Sequence, residues 1–245
     1  MKKFVFIIIG CWLAICMSAC KITSMVSEKP QGNLSQMTEY TQGDFSYKIQ
    51  ADGVKVIRFS GVEESVSIPE QVNGKSVLSL GKDSFYQRKE LKSVFLPDSL
   101  TSIEDSVFYR CYSLQEITIP KNVQELGTNP FFRCSALTRI SVDDENKYYS
   151  DIDGVLFNKD KTVLLVYPEG KESESYTIPD TVTQVDNSAF GYCCEELKDI
   201  VIPETVTRMP NQALFTNKEN LTLHVKKDSS AEKYAIEYNY FFVIY

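Results

Sequence analysis

The chain has one histidine, His224. Any acid–base or metal chemistry that uses an imidazole would depend on this residue. No nucleophile motif accompanies it, and the sequence contains no G-x-S-x-G, H-E-x-x-H, P-loop or dinucleotide-binding glycine pattern. We therefore interpret His224 as a structural residue, and we expect no catalytic residue and no cofactor. A glycan-active hydrolase that uses paired carboxylates is a remote alternative, because the acidic residues are scattered over predicted loops.

One acidic stretch, residues 143–153, contains the oxygen ligands that Ca²⁺ prefers. Its carboxylates belong to Asp143, Asp144, Glu145, Asp151 and Asp153. Aligned to a calcium-binding loop, the stretch places Tyr149 at the first ligand position and Asp160 where a bidentate glutamate belongs. This spacing favours a solvated acidic loop, so we predict no metal site.

The N-terminus has the pattern of an exported protein. Lys2 and Lys3 precede an apolar run that is too short for a membrane helix, and small residues follow it, as in a secretory signal peptide. The sequence Met17-Ser18-Ala19-Cys20 resembles the lipobox of bacterial lipoproteins, in which Cys20 would be lipidated through its sulfur. The alternative is an ordinary cysteine in or beyond a non-lipid signal peptide.

The lipobox resemblance implies a signal peptide at residues 1–19 and a membrane partner held through the N-terminal lipid. It places the protein in the bacterial cell envelope, at the outer membrane or cell surface. Residues 20–43 are polar and lack apolar periodicity, which predicts a lipidated flexible tether. The net charge of −7 becomes more negative without Lys2 and Lys3, so a nucleic-acid partner is disfavoured.

A repeat runs from about residue 68 to residue 221 and is clearest in residues 114–134, LQEITIPKNVQELGTNPFFRC. Its register is marked by Ile-Pro or Leu-Pro steps, at Ile68-Pro69, Leu96-Pro97, Ile119-Pro120, Ile178-Pro179 and Ile202-Pro203, and Val142-Asp143 occupies the same position without a proline. Most units are 23 or 24 residues long, and an aromatic residue follows at Phe85, Phe108, Phe131 and Phe190. A fixed period of 20 to 30 residues with regular Leu and Ile is typical of a leucine-rich solenoid.

Each unit contains one strand whose successive side chains point to opposite faces. Leu114, Ile117 and Ile119 are predicted to point inward, and Glu116 and Thr118 outward. The following proline ends the strand because it has no N–H to donate. We predict a mainly β leucine-rich-repeat solenoid of the α/β type: short parallel strands, tight helical or 3₁₀ returns, an N-terminal hairpin cap and a C-terminal helix–strand cap.

Residues 178–206 follow the pattern IP..V..I...AF..C..L..I.IP nearly position by position. This pattern resembles the BspA-type bacterial leucine-rich repeat, and the resemblance covers most of residues 47–245. It implies a surface protein or adhesin that binds a protein or glycan ligand without catalysis. The chain departs from the pattern where Arg88 occupies a cysteine position, and the usual glycine after the second apolar residue survives only at Gly127.

The predicted repeat domain spans residues 44–245, with one interruption at about 143–177. Two apolar segments flank Asn158-Lys159-Asp160-Lys161 there, which predicts a projecting hairpin insertion. Near the C-terminus, Ser229-Ser230-Ala231-Glu232 is a capping box that predicts a short helix, followed by a last strand.

Four cysteines lie within the repeats, at Cys111, Cys134, Cys193 and Cys194. Cys111 and Cys134 occupy equivalent positions one unit apart, which is close enough for a disulfide. Their side chains would run parallel, however, so buried thiols are favoured over a bond, and whether they are oxidised stays open.

The outward strand residues are the candidate binding face. They are Ser93, Phe95, Glu116, Thr118, Arg139, Ser141, Asp199 and Val201, and the repeat register predicts that they stack as one row. Solenoids commonly bind ligands on such extended surfaces. The inserted hairpin is the second candidate, and the alternative function is a structural envelope component or accessory subunit of a surface complex.

Overall fold

The structure, a computed structural model, describes residues 38–187, 189–191, 196–211, 214 and 219–245. They belong to one compact unit, Met37–Tyr245. The predicted signal peptide, the lipidation residue Cys20 and most of the predicted tether lie outside the described residues, as do Cys193 and Cys194.

Short strands follow one another along the chain, and a single described helix precedes the last of them. The strands are β1 (Glu39–Gln42), β2 (Phe45–Ile49), β3 (Val54–Phe59), β4 (Ser65–Ser67), β5 (Gln71–Val72), β6 (Lys75–Leu80), β7 (Ser93–Phe95), β8 (Ser102–Ile103), β9 (Glu116–Ile119), β10 (Glu125–Leu126), β11 (Arg139–Val142), β12 (Tyr149–Ile152), β13 (Val155–Asn158), β14 (Val163–Val166), β15 (Ser175–Thr177), β16 (Gln184–Val185), β17 (Asp199–Ile202), β18 (Thr222–Val225) and β19 (Phe241–Ile244). The helix is α1 (Ser230–Glu237).

The strands form a solenoid in two blocks. In the N-terminal block, the four parallel strands β4, β7, β9 and β11 form one sheet, and β3, β6, β8 and β10 continue a second sheet behind the β1–β2 hairpin. In the C-terminal block, β15, β17, β18 and β19 form a parallel sheet. The fold class predicted from the repeats is therefore confirmed.

The β9 unit shows why the repeat has its pattern. Ile117 and Ile119 are buried, whereas the alternate residues Glu116 and Thr118 are exposed, as predicted. The strand ends before Pro120, which has no N–H for the next strand. In each rung, the inward residues of the strand thus pack against the neighbouring rungs, and two residues of the strand point outward.

The returns between strands are tight turns, in which amides donate to carbonyls three residues earlier, such as Tyr86 to Asp83 (3.0 Å) and Arg88 to Phe85 (3.2 Å). Each of the three returns of the N-terminal block begins and ends with a residue in the left-handed region. The φ angles are 54° to 57° at Asp83, Ser106 and Asn129, and 58° to 62° at Gln87, Arg110 and Arg133. Because a left-handed residue stops a right-handed helix, the return cannot extend beyond a single turn.

Stacked rings and buried thiols fill the space inside the returns. Phe85 lies 5.2 Å from Phe108, which lies 5.8 Å from Phe131, measured between ring centroids. The Cys111 and Cys134 side chains are buried as free thiols, and their Sγ atoms donate to the carbonyls of Phe85 (3.1 Å) and Phe108 (3.0 Å) one rung earlier. The preference for thiols over a disulfide is confirmed.

Both ends of the array are covered. At the N-terminus, β1 pairs with β2 in an antiparallel hairpin. At the C-terminus, the Ser229 side chain accepts from the Glu232 amide and caps α1, as predicted. Covering terminal rungs limits the strand edges that would otherwise pair with other chains.

The interruption after β11 is a three-stranded antiparallel meander, β12–β13–β14. The predicted hairpin forms between β13 and β14, but it does not project. Val155, Leu156 and Phe157 are all fully buried. Leu156 packs into the core of the N-terminal block, and its two neighbours pack into the core of the C-terminal block. The insertion therefore joins the two cores.

Candidate binding surface

The outward side chains of the N-terminal block lie side by side on one face. We call them the first row: Ser65, Ser67, Ser93, Phe95, Glu116, Thr118, Arg139 and Ser141. Ser93 is the Cα partner of Glu116, which is in turn the partner of Arg139. The six predicted binding residues from these strands are thus brought together, about 4.8 Å apart from strand to strand.

Asp199 and Val201 do not extend that row, which corrects the prediction of one continuous face. They lie in the sheet of the C-terminal block, where their Cα partners are Ser175 and Thr177 on one side and Thr222 and His224 on the other. We call this the second row: Ser175, Thr177, Asp199, Val201, Thr222, His224, Phe241 and Val243.

The turn between β12 and β13 separates the two rows. The Ile140 amide in β11 donates to the Gly154 carbonyl (2.9 Å), and the Val142 amide donates to Asp151 Oδ1 (2.9 Å). Gly154 has a φ of 78°, and a Cβ at that position would come within 3.2 Å of the Arg139 Cα. The edge of β11 is therefore occupied by the turn, so no repeat strand pairs there.

The second row contains a pair of polar side chains that the sequence analysis missed. His224 Nε2 lies 2.6 Å from Asp199 Oδ1, although 25 residues separate them in the chain. The repeat register places both residues on adjacent strands, and this is the signal that identifies the pair. In the described part of the chain, the His224 ring makes no other side-chain hydrogen bond, so Asp199 orients the ring.

Large apolar side chains are exposed at one place in each row. Phe95 in the first row is 64% exposed, and Phe241 in the second row is 68% exposed. Val243, beside His224 in the register, is 50% exposed. Isolated exposed apolar residues are ordinary, but their position in these rows gives each face an apolar contact among polar ones.

The first row also contains two side chains of opposite charge, Glu116 and Arg139, that do not form an ion pair with each other. Glu116 and Arg139 are Cα partners, yet both are exposed and no ion pair joins these two described residues. By contrast, lysines beside the rows are paired between rungs: Lys92 with Glu64 (2.7 Å) and Lys121 with Asp98 (3.1 Å). Hydrogen bonding to Asp98 raises the pKa of Lys121.

Comparison with known proteins decides the family. The profile of the BspA type leucine rich repeat region matches residues 57–162 and 167–241 in six copies. The chain belongs to the BspA-type leucine-rich repeat family. No curated protein sequence matches it significantly.

Several solved structures of leucine-rich repeat proteins are similar to this chain. A leucine-rich cell surface protein from Faecalibacterium prausnitzii is 20% identical, with 79% of this chain and 77% of that chain covered and a TM-score of 0.44. A leucine-rich repeat protein from Eubacterium ventriosum is 20% identical over 79% and 67%, with a TM-score of 0.49. The leucine-rich repeat protein of T. pallidum is 19% identical over 84% and 98%, with a TM-score of 0.44.

The acidic stretch of this BspA-type chain is used for local structure. Asp151 accepts hydrogen bonds from backbone amides, and Asp153 pairs with Lys171 at 3.3 Å. Among the described residues, no group of three or more His, Cys, Asp and Glu side chains is arranged to hold a metal ion. Within the same residues, no helix has the length and apolar character needed to cross a membrane.

Proposed function

We propose that this protein is a non-catalytic binding module of the bacterial cell surface, and that the first row recognises a protein or glycan ligand. One observation carries the proposal: in the first row, Glu116, Thr118 and Arg139 are exposed and make no side-chain hydrogen bond or ion pair with the described residues, whereas the Ser93 and Ser65 hydroxyls bond to each other at 2.9 Å. Glu116, Thr118 and Phe95 are exposed, while the residues between them fill the core. Extended solenoid faces of this kind suit macromolecular ligands.

The chemistry of the first row favours a mixed polar and apolar contact. Phe95 provides an apolar anchor, and aromatic anchors contribute strongly to protein interfaces. Glu116 and Arg139 provide opposite charges that a partner can pair, and such charges set orientation and specificity. Thr118 adds a hydroxyl group that can donate or accept a hydrogen bond.

Lipidation of Cys20 is the proposed anchor. Each buried CH₂ of an acyl chain contributes about 0.8 kcal/mol, so two or more chains hold a protein firmly on a membrane. The residues between Cys20 and β1 would span roughly 25 Å as a flexible chain, which would hold the repeat domain away from the lipid surface. This arrangement corresponds to an outer-membrane or cell-surface location.

A second candidate function is that of a structural or accessory subunit of an envelope complex. The exposed apolar side chains of β19, Phe241 and Val243, favour it, because permanent interfaces are more apolar than transient ones. Stable co-purification of one envelope protein from detergent-solubilised cells would support this candidate, provided that the purified protein alone binds no external ligand.

The binding proposal is tested by probing arrays of host matrix proteins and glycans with the purified, unlipidated Cys20→Ala protein. A Phe95→Ser/Glu116→Lys variant should lose at least 90% of the signal of any ligand that the parent protein binds. Glu125→Lys is the matched control, because Glu125 is an exposed strand residue outside the first row. Equal loss with the control variant, or no bound ligand at all, contradicts the proposal.

The anchor is tested separately by metabolic labelling with a fatty-acid analogue. The wild-type protein should be labelled and the Cys20→Ala protein should not. Equal labelling of both proteins would show that Cys20 is not the lipidated residue.

A further inference from the structure

The turns of the N-terminal block are joined by a regular ladder of backbone hydrogen bonds. In the first two returns, the amides of three alternate residues donate to carbonyls of the next rung. The first return uses Asp83 to Asp105 (3.2 Å), Phe85 to Val107 (3.0 Å) and Gln87 to Tyr109 (2.9 Å). The second uses Ser106 to Thr128 (3.0 Å), Phe108 to Pro130 (2.9 Å) and Arg110 to Phe132 (3.0 Å).

This ladder is broken at the third return. The equivalent donors are the amides of Asn129, Phe131 and Arg133. The Arg133 amide donates to a side chain, Glu169 Oε1, at 2.8 Å. Within the described residues, the Asn129 and Phe131 amides have no acceptor. By the geometry of the two preceding returns, both amides point toward the position of the next rung.

A cleft of about 420 Å³ lies at that position, between the two blocks. Its volume is within the range of known ligand sites. On the two sides of the cleft, Phe131 stacks on Phe108 and Tyr167 stacks on Phe190. The cleft therefore occupies the place where a closely stacked rung would continue the ladder.

The lining of the cleft has a defined chemistry. Phe131, Leu165 and Val166 contribute apolar surface. Glu169, which is only 6% exposed, and Asp186 contribute carboxyl groups. No lysine or arginine is present among the described lining residues. The site thus favours an apolar group and a cationic or hydrogen-bond-donating group, and it disfavours an anion.

We propose that this cleft binds a short peptide segment of a partner protein. Two peptide carbonyls accept from the Asn129 and Phe131 amides, as the carbonyls of the next rung do in the earlier returns. An apolar side chain of the peptide packs against Leu165 and Val166, and a basic side chain lies near Glu169. The class of ligand rests on the proposed binding function, but the site is separate from the first row.

The test uses a synthetic heptapeptide, AASVFYR, which copies residues 104–110 with the two acidic residues replaced by alanine. This rung supplies the carbonyls that satisfy Asp83 and Phe85 in the intact ladder. The peptide is titrated into the ¹⁵N-labelled full-length Cys20→Ala protein, and amide shifts are followed by NMR. We expect saturable shifts at Asn129 and Phe131, and at least tenfold weaker binding of AASVEYR, in which the aromatic residue is replaced.

A cavity-filling variant, Leu165→Trp, should weaken binding of AASVFYR at least tenfold. Glu90→Lys, at an exposed residue outside the cleft and the first row, should leave it within twofold. Loss of binding with Glu90→Lys, or equal binding by Leu165→Trp, overturns the proposal. If either variant misfolds, the proposal is tested instead by measuring amide hydrogen exchange in the parent protein. The Asn129 and Phe131 amides should exchange at least 100-fold faster than those of Phe85 and Phe108, and equal protection of the four overturns the proposal.

Failure of this test does not affect the function proposed for the first row. That function is tested with array ligands and with first-row variants, whereas the peptide experiment examines only the cleft. A protein that binds an array ligand but no peptide retains the first-row proposal and loses the cleft proposal.

Discussion

The two blocks of the solenoid have the same interior and different exteriors. Ile117 in β9 and Ile200 in β17 are both buried, and rings stack in both blocks, through Phe108 in one and Phe190 in the other. The outward residues differ. The first row leaves Glu116 unpaired with its neighbour Arg139, whereas the second row pairs Asp199 with His224.

This comparison shows how a repeat separates stability from recognition. The inward positions of every rung contact the rungs on both sides, so each is constrained by its neighbours. The outward positions contact solvent, so their identity is free to change between blocks. Residues that identify the family are therefore mostly core residues, and the proposed function assigns specificity to the outward positions.

The largest expected effect on stability comes from removing a buried ring from the core of either block. Phe108→Ala and Phe190→Ala should each lower the free energy of unfolding by about 4 kcal/mol, because each removes a fully buried ring and leaves a cavity. Phe95→Ala should change it by less than about 0.5 kcal/mol, since that side chain is exposed. Urea unfolding followed by circular dichroism measures all three. If Phe95→Ala also lowered the free energy of unfolding by several kcal/mol, the distinction between stabilising inward residues and dispensable outward residues would be contradicted.

A smaller loss is expected at the junction between the blocks. Asn146 is completely buried, and its side-chain amide donates to the carbonyls of Pro120 (2.7 Å) and Val123 (3.0 Å). Its Oδ1 accepts from the Tyr148 and Tyr149 amides, both at 2.8 Å. Asn146→Ala should lower the free energy of unfolding by about 3 kcal/mol, because it leaves buried groups unpaired.

The control for this substitution is Asn122→Ala. Asn122 is exposed and donates a single side-chain hydrogen bond, to the Asp98 carbonyl at 2.8 Å. Its removal should cost less than about 1 kcal/mol in the same urea experiment. Similar losses for both variants would show that Asn146 does not join the blocks.

The interior thiols give a smaller effect that depends on pH. Burial raises the pKa of Cys111 from 9.0 to about 12. An unfolded thiol therefore ionises first, so the stabilisation is complete below pH 9 and is lost as pH rises toward 12. At pH 8, alkylation of Cys111, measured by mass spectrometry, should be at least 100-fold slower in the folded protein than in urea. Comparable rates would place this thiol outside the core.

Much of the fold was predictable because the rung pattern is local. Proline ends each strand, and the two-residue alternation assigns inward and outward residues such as Ile117 and Glu116. The left-handed returns were not predictable, because Ser106 and Arg110 are not residues that mark positive φ. The burial of Val155–Phe157 had a signal, since a continuous apolar run is typical of a strand covered on both sides.

The candidate site was only partly predictable, because the repeat pattern in the sequence is local and the site also depends on contacts between distant segments. Register within a run of units is local, so the neighbours of Glu116 followed from the repeat. Register across the meander depends on tertiary contacts, such as the one between Ile140 and Gly154, and these separate Asp199 from the first row. The roles of Asn146 and of the Asn129 amide depend on contacts between rungs, and no motif indicates them.

The most direct test of the account is to compare the two rows with one ligand. The dissociation constant of an array-identified ligand is measured by surface plasmon resonance for the parent protein, a first-row variant (Glu116→Lys/Arg139→Glu) and a second-row variant (Asp199→Ala/His224→Ala). We predict at least tenfold weaker binding for the first-row variant and a change within twofold for the second-row variant. Equal affinity of the first-row variant and the parent protein would contradict the assignment of binding to the first row.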